Sequence, residues 1–228
     1  KMAYKLNESS VRHAAEKFDE IYDKYFSDMD AYFAVIPDKN YYAAPNTGHL
    51  AMDIEKMIDI LAENRAGIRA IPLTATLTLE DYYKTDIHWR QERLIQTANR
   101  LLEGMGNDAR VRETQLTVKS KTPFYGSLHG QAAIGGKPET LFYLTDPLIE
   151  SAEVFDYEHG ETIGIYAPER FSGMDPYDIY LSGAKPLLEI EVPENYSDRE
   201  LIIFRDSFSS SIAPLLFFGY KKIIGARC

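Results

Sequence analysis

Apolar residues recur at three- and four-residue steps from about Ser9 or Ser10 to Tyr25, at Val11, Ala14, Ala15, Phe18, Ile21, Tyr22 and Tyr25. That spacing predicts an amphipathic helix with one buried face. The unbroken apolar run Ala31–Ile36 stops at Pro37-Asp38-Lys39-Asn40 and reads as a buried strand followed by a turn. A second helix is expected over about 53–64, with Ile54, Met57, Ile58 and Leu61 on one face and Ala66-Gly67 as its end. Ile68–Leu73 then reads as a short strand, and Thr78–Asp81 as a helical turn.

The clearest helical stripe is Leu94, Ile95, Ala98, Leu101 and Leu102, which predicts a helix from Trp89 to Glu103 with its stop at Gly104. From 111 to 183 the texture changes to Gly and aromatic residues, with a hairpin expected at Glu158-His159-Gly160-Glu161. This stretch reads as a β-rich insertion or flap. Leu187–Glu191 and Leu201–Phe204 read as strands, Ser209–Phe218 as a helix bent or shortened by Pro214, and Lys222–Gly225 as a last strand. Strands alternating with helices predict a single α/β domain over 1–228, three-layer and mainly parallel, carrying the insertion at about 111–183.

At 228 residues and 45% hydrophobic content the chain can bury a sizeable core, which excludes disorder. A net charge of −10 without clustered Lys and Arg argues against a nucleic-acid surface and fits a neutral or sugar-like substrate. The single cysteine is the last residue, Cys228, so neither an internal disulfide nor a cysteine metal site can form. No run approaches a membrane span, and Lys1-Met2-Ala3-Tyr4 does not read as a signal peptide. The opening on Lys1 leads us to expect a trimmed or processed chain.

Two short segments carry candidate chemistry. In Tyr83–Arg90, which holds the only Trp, Asp86 and His88 stand two positions apart just before the predicted helix. A carboxylate there can hold one imidazole nitrogen protonated while the other faces a nucleophile, and a helix N-terminus favours the carboxylate. The nucleophile candidate is Ser207, where the strand Leu201–Phe204 runs into a helix-opening turn. Asp and Ser at such a turn are also ordinary helix caps, and Asp206 and Arg205 read as structural. The oxyanion donors are expected at the turn after Ser207, beginning with Phe208, with help from Gly183; Tyr125 and Trp89 are the candidate sugar-stacking walls. His129, in its Gly-rich loop, reads as solvated. A metal site built from Asp86, His88, His129 or His159 lacks any spaced ligand motif, so no metal and no cofactor is expected.

In that order, Tyr83-Lys84-Thr85-Asp86-Ile87-His88-Trp89, Phe124-Tyr125-Gly126-Ser127, Tyr180-Leu181-Ser182-Gly183 and Phe204-Arg205-Asp206-Ser207-Phe208 followed by Ala213-Pro214 and Tyr220 resemble the bacterial DHHW proteins. Those in turn are similar to the SGNH-hydrolase-like domains of alginate O-acetyltransferases. The resemblance runs from about Ala31 to the end, departing where Ile87 stands for a family His and where Ala184, not the Asn of the SGNH pattern, follows Gly183. It implies a flavodoxin-like three-layer domain in which Asp86 orients, His88 is the base and Ser207 the nucleophile. The implied activity is that of an esterase or O-acetyltransferase acting on cell-envelope or extracellular carbohydrate, outside the cytoplasm. Expected partners are an acyl ester or carbohydrate, no nucleic acid, and a membrane-associated assembly partner reached through a segment outside this sequence. The alternative is a non-catalytic envelope protein of the same fold that binds a glycan or an assembly partner.

Overall fold

The structure is a computed structural model and describes residues 5–63, 67–132 and 136–227. The chain forms two compact units, residues 1–79 and 80–228. No helix among the described residues is long and apolar enough to cross a membrane.

The 1–79 unit holds helix α1 (Glu8–Tyr25), strand β1 (Ala31–Phe33), α2 (Lys39–Thr47), α3 (Ile54–Ala62) and β2 (Ile68–Ala70). The Asn7 side chain caps α1 by accepting from the Ser10 amide, and Asp53 caps α3 by accepting from the Lys56 amide. β1 and β2 pair in parallel. The predicted stripe of α1 is only partly buried: Ala15 is covered, whereas Phe18, Ile21 and Tyr25 are exposed. Sequence reading missed α2. Pro37, Asp38 and Asn40 look like a turn, but Asp38 is an N-cap that accepts from the Asn40 amide, and Pro45 lies inside the helix. α3 ends at Ala62, ahead of the expected Ala66-Gly67 stop, of which Ala66 lies outside the described residues.

The 80–228 unit holds α4 (Ile95–Gly104), β3 (Thr117–Phe124), α5 (Ser127–Ala132), β4 (Glu139–Thr145), α6 (Pro147–Glu150), β5 (Glu153–Asp156) and β6 (Glu161–Ile163). It closes with β7 (Leu187–Glu191), β8 (Glu200–Arg205), α7 (Ser207–Leu216) and β9 (Lys222–Arg227). β3 and β4 form an antiparallel two-stranded sheet, and the other five strands form a sheet of order β6-β5-β7-β9-β8.

The molecule is mixed α/β, but its described sheets are small and the larger one is not mainly parallel. Within it only β8 and β9 run parallel; β5–β6, β5–β7 and β7–β9 are antiparallel. The physical reason is connection length. β8 reaches β9 through α7, long enough for a parallel crossover, whereas β5 turns directly into β6 at Gly160, whose φ of 66° suits the reversal. The expected insertion also divides: β3 and β4 stand as their own pair, while β5 and β6 belong to the main sheet through β7.

The inner face of that sheet buries Val154, Leu188, Ile190 and Ile223, and α7 packs against β8 and α4. A second cluster, Tyr83, Phe124, Leu141, Tyr143, Tyr177, Ile179 and Tyr180, is mostly tyrosine. Burying a phenol without a partner is costly, and two of these hydroxyls meet the backbone: Tyr180 donates to the Phe142 carbonyl, and Tyr83 accepts from the Phe142 amide.

Candidate active site

Asp86 and His88 lie on a closed loop, not at the start of a helix. Tyr82 and Trp89 form an isolated antiparallel bridge, the Tyr83 amide donates to the His88 carbonyl (3.1 Å), and the Arg90 amide donates to the Asp81 carbonyl (2.7 Å). A 3-10 turn, Gln91–Arg93, intervenes before α4 begins at Ile95, so the expected helix-end effect on Asp86 is absent. The apolar stripe does lie on α4, but the helix does not reach back to Trp89.

The loop is clamped from across the β3–β4 sheet. The Glu139 carboxylate accepts from the Lys84 amide (3.0 Å), the Thr85 amide (2.6 Å) and the Thr85 hydroxyl (2.7 Å). Gly126 passes so close that a Cβ there would lie 2.2 Å from Asp86 Cβ, so only glycine fits. That approach delivers Ser127, whose Oγ donates to Asp86 Oδ1 at 2.7 Å. The Ile87 amide donates to the same oxygen at 2.7 Å.

The other carboxylate oxygen, Oδ2, stands 3.2 Å from His88 Nδ1, and His88 Nε2 stands 2.8 Å from Ser207 Oγ. Asp86 and His88 are both buried, at 1% and 4% exposure, so little water competes for these bonds. Burial pushes the Asp86 carboxyl up, but the hydrogen bond and charge of His88, with the Ser127 hydroxyl and the Ile87 amide, outweigh it and hold the group below the usual Asp value. An ionised Asp86 can only accept, which puts the imidazole proton on Nδ1 and leaves Nε2 to accept from Ser207.

Ser207 is the first residue of α7, and its exposure is intermediate. Asp206 is the N-cap, as expected: its Oδ1 accepts from the amides of Phe208 (3.0 Å) and Ser209 (3.3 Å). This corrects the reading of Phe208 as an oxyanion donor, because its N–H is engaged by the cap. The first amide of a helix has no intrahelical acceptor, which leaves the N–H of Ser207 itself as the donor the helix end offers. Gly183 is corrected in the same way. Its amide donates to the Tyr180 carbonyl (3.0 Å), and its φ of 79° closes a turn in which Leu181 and Ser182 are also left-handed. A Cβ at Gly183 would sit 2.2 Å from Asp178 Oδ1, so the glycine serves close packing.

Trp89 is fully buried and cannot be a sugar wall; its Nε1 donates to Ser211 Oγ at 2.8 Å. Tyr125, at 40% exposure, remains available for contact and packs its ring on His129 at 4.6 Å between centroids. Arg205 does not pair with a carboxylate among its described hydrogen bonds: it is buried and donates to Ser210 Oγ (2.7 Å) and the Lys185 carbonyl (3.3 Å). His159 sits at the β5–β6 turn, where Asp156, His159 and Glu161 each bring a ligand atom within 4.8 Å of the others. Lys185 Nζ, 2.7 Å from Asp156 Oδ2, already supplies the cation there.

Sequence reading missed Ser127, Tyr177 and Ser211 as parts of this site. Ser127 stood inside a motif already singled out, Phe124-Tyr125-Gly126-Ser127, and the glycine beside it was the available signal. No local signal marked Tyr177 or Ser211.

No protein-family model matches the chain, and no curated protein matches it in sequence. Solved structures do. A DHHW family protein from Eubacterium siraeum matches at a TM-score of 0.73 and 18% identity, over 95% of this chain and 75% of that one. Bacillus cereus PatB1 with a sulfonyl adduct matches at 0.74 and 18% identity, over 100% of this chain and 80% of that one. A second PatB1 structure matches at 0.71 and 20% identity, over 100% and 82%. This chain therefore shares its fold with a DHHW family protein and with PatB1, in keeping with the DHHW resemblance of its motifs.

Proposed function

We propose that this protein is a serine acyl-transfer enzyme with an SGNH-like three-layer architecture, an esterase or O-acetyltransferase that works on cell-envelope or extracellular carbohydrate outside the cytoplasm. The observation that carries the reading is one imidazole ring with Asp86 Oδ2 3.2 Å from Nδ1 and Ser207 Oγ 2.8 Å from Nε2. Likeness of fold to PatB1, one structure of which holds a sulfonyl adduct, supports it.

In this mechanism His88 Nε2 takes the Ser207 hydroxyl proton as Oγ attacks the ester carbonyl carbon. Charge on the carbonyl oxygen is met by the Ser207 N–H at the start of α7, where the helix dipole adds to it. His88 then gives its proton to the departing alkoxide oxygen, leaving an acyl-Ser207 ester. Water or a sugar hydroxyl attacks that ester while His88 takes its proton, and collapse returns a proton to Ser207 Oγ. Water as acceptor makes the enzyme an esterase, and a sugar hydroxyl makes it a transferase. Asp86 keeps the Nδ1 tautomer through both half-reactions and stabilises the imidazolium between them. Of the two expected sugar-contact aromatics, Tyr125 is exposed and Trp89 is not.

The test is turnover of an activated acetyl ester. Ser207→Ala and His88→Ala should each lower it by at least about a thousandfold with unchanged circular dichroism. A serine-directed sulfonyl fluoride should add to Ser207 in the unmodified protein. Wild-type turnover in both variants sinks the reading.

A further inference from the structure

The imidazole of His88 has a partner beyond its two hydrogen bonds. It lies flat against the Tyr177 ring, with centroids 3.9 Å apart and planes 7° from parallel, and Phe208 tilts onto it at 4.8 Å. Tyr177 is itself held. Its amide donates to the Asp175 carboxylate at 3.0 Å, and its hydroxyl donates to Ser211 Oγ at 2.7 Å and lies 3.3 Å from the Trp89 carbonyl. Ser211 is fully buried; it also accepts from Trp89 Nε1 and donates to the Phe208 carbonyl at 3.0 Å. The residue after the base and the residue after the nucleophile thus meet at one hydroxyl, and that hydroxyl fixes Tyr177. Burial holds the Tyr177 phenol neutral, so the surface under His88 is an uncharged aromatic face.

We propose that Tyr177 is the positioning residue for the base: its ring keeps the His88 imidazole in the plane that joins Asp86 to Ser207, and its face stabilises the charge the ring gains on taking the Ser207 proton. This rests on the acyl-transfer reading above. The negative face of a phenol attracts a cation over it, and a dry site strengthens the attraction. A neutral imidazole gains much less than an imidazolium. The contact is therefore stronger on the way to the acyl-enzyme than in the resting state, and only such differential contacts raise kcat.

Steady-state kinetics on Tyr177→Phe, Tyr177→Leu and Tyr177→Met, with Ser207→Ala as reference, test this. The Leu and Met variants should lose about tenfold in kcat with KM within about twofold, while the Phe variant, which keeps the ring, stays within about threefold. An NMR signature accompanies this: the carbon-bound ring protons of His88 should be displaced upfield by the Tyr177 ring current in the wild type and the Phe variant. Wild-type kcat in either aliphatic variant, a Phe variant as impaired as the Leu variant, or no upfield displacement in the wild type overturns the proposal. Should the aliphatic variants not fold, the Phe variant and the wild-type displacement decide it. Full turnover in Ser207→Ala would instead remove the acyl-transfer reading, and the NMR displacement would still report whether the stack exists.

Discussion

The 80–228 unit contains two histidines whose Nδ1 meets an aspartate, and they differ in their exposure and in their other partners. His88 Nδ1 lies 3.2 Å from Asp86, and His159 Nδ1 lies 3.0 Å from Asp156. Both aspartates are buried. The His88 side chain is 5% exposed and its far nitrogen meets Ser207 Oγ; the His159 side chain is 52% exposed, and its Nδ1 is also 3.1 Å from Lys185 Nζ and 3.5 Å from Glu158 Oε2. A general base needs one nitrogen fixed by an acceptor and the other directed at a hydroxyl in a site that water does not flood. His88 meets all three conditions. Around His159 a lysine ammonium neutralises the aspartate, so that group is a buried ion pair with a histidine at its rim.

The sharpest way to break this comparison is to make the same change in both places. Asp86→Asn should lower ester turnover by about a thousandfold, because an amide no longer selects the Nδ1–H tautomer or balances the imidazolium. Asp156→Asn should leave turnover within about twofold and lower unfolding free energy by about 2 kcal/mol, since the buried Lys185 ammonium loses its nearest carboxylate and keeps only that of Glu158, with Oε2 at 3.6 Å. Urea denaturation beside kinetics separates the two. Burial raises the Asp156 carboxyl, but Lys185, His159 and the Glu158 amide pull it down to about 2. Its folded pKa therefore lies below the unfolded value of about 3.9. Its contribution is complete above about pH 4 and is lost as the pH falls through about 2. Wild type should lose stability across that window, and the Asn variant should lose less. A turnover collapse in Asp156→Asn with stability intact would erase the distinction.

The same contrast shows what could be read from the chain alone. Asp86 and His88 were legible because their contact is local, and Ser207 because a strand running into a helix-opening turn is a local pattern. That the three side chains converge is a long-range fact. It depends on the Tyr82–Trp89 bridge and the Glu139 clamp, contacts that leave no periodic trace. Trp89 was singled out as the lone tryptophan and given a surface role, although large aromatics beside a site are as readily its foundation. The alternation of helices and strands correctly gave an α/β chain, but the mainly parallel sheet it implied holds only for the pairs β1–β2 and β8–β9, each separated by helix. It also gave β7 as Leu187–Glu191 and the reversal between β5 and β6 near Gly160, but not that these strands join the main sheet antiparallel, since that pairing depends on partners far along the chain.

Ser127 sharpens the comparison at a finer scale, because Asp86 is supported by neutral donors where Asp156 is supported by an ammonium. Ser127→Ala removes one of the hydrogen bonds to Asp86 Oδ1 and leaves the Ile87 amide in place at 2.7 Å. A hydrogen bond to a charged group is worth about 1.5–3 kcal/mol, part of which a water or the remaining amide would restore. Turnover should fall roughly tenfold, well short of the Asp86→Asn loss, and the Asp86 carboxyl should move up toward its ordinary range. An unchanged rate would mean that Ser127 serves only the fold of the loop.

The smallest effect belongs to His159. Its ring is half in solvent, and the Asp156 carboxylate keeps its shorter contact to Lys185 Nζ at 2.7 Å when the imidazole is removed. A half-exposed polar contact contributes about 0–1 kcal/mol, so His159→Gln should change unfolding free energy by less than about 1 kcal/mol and leave ester turnover untouched. Measured beside His88→Ala in the same assay, the pair tests whether proximity of histidine to aspartate is enough to make a catalytic base. If removing the imidazole of His159 cost as much turnover as removing that of His88, the fixed far nitrogen and the dry surroundings would not be what sets His88 apart.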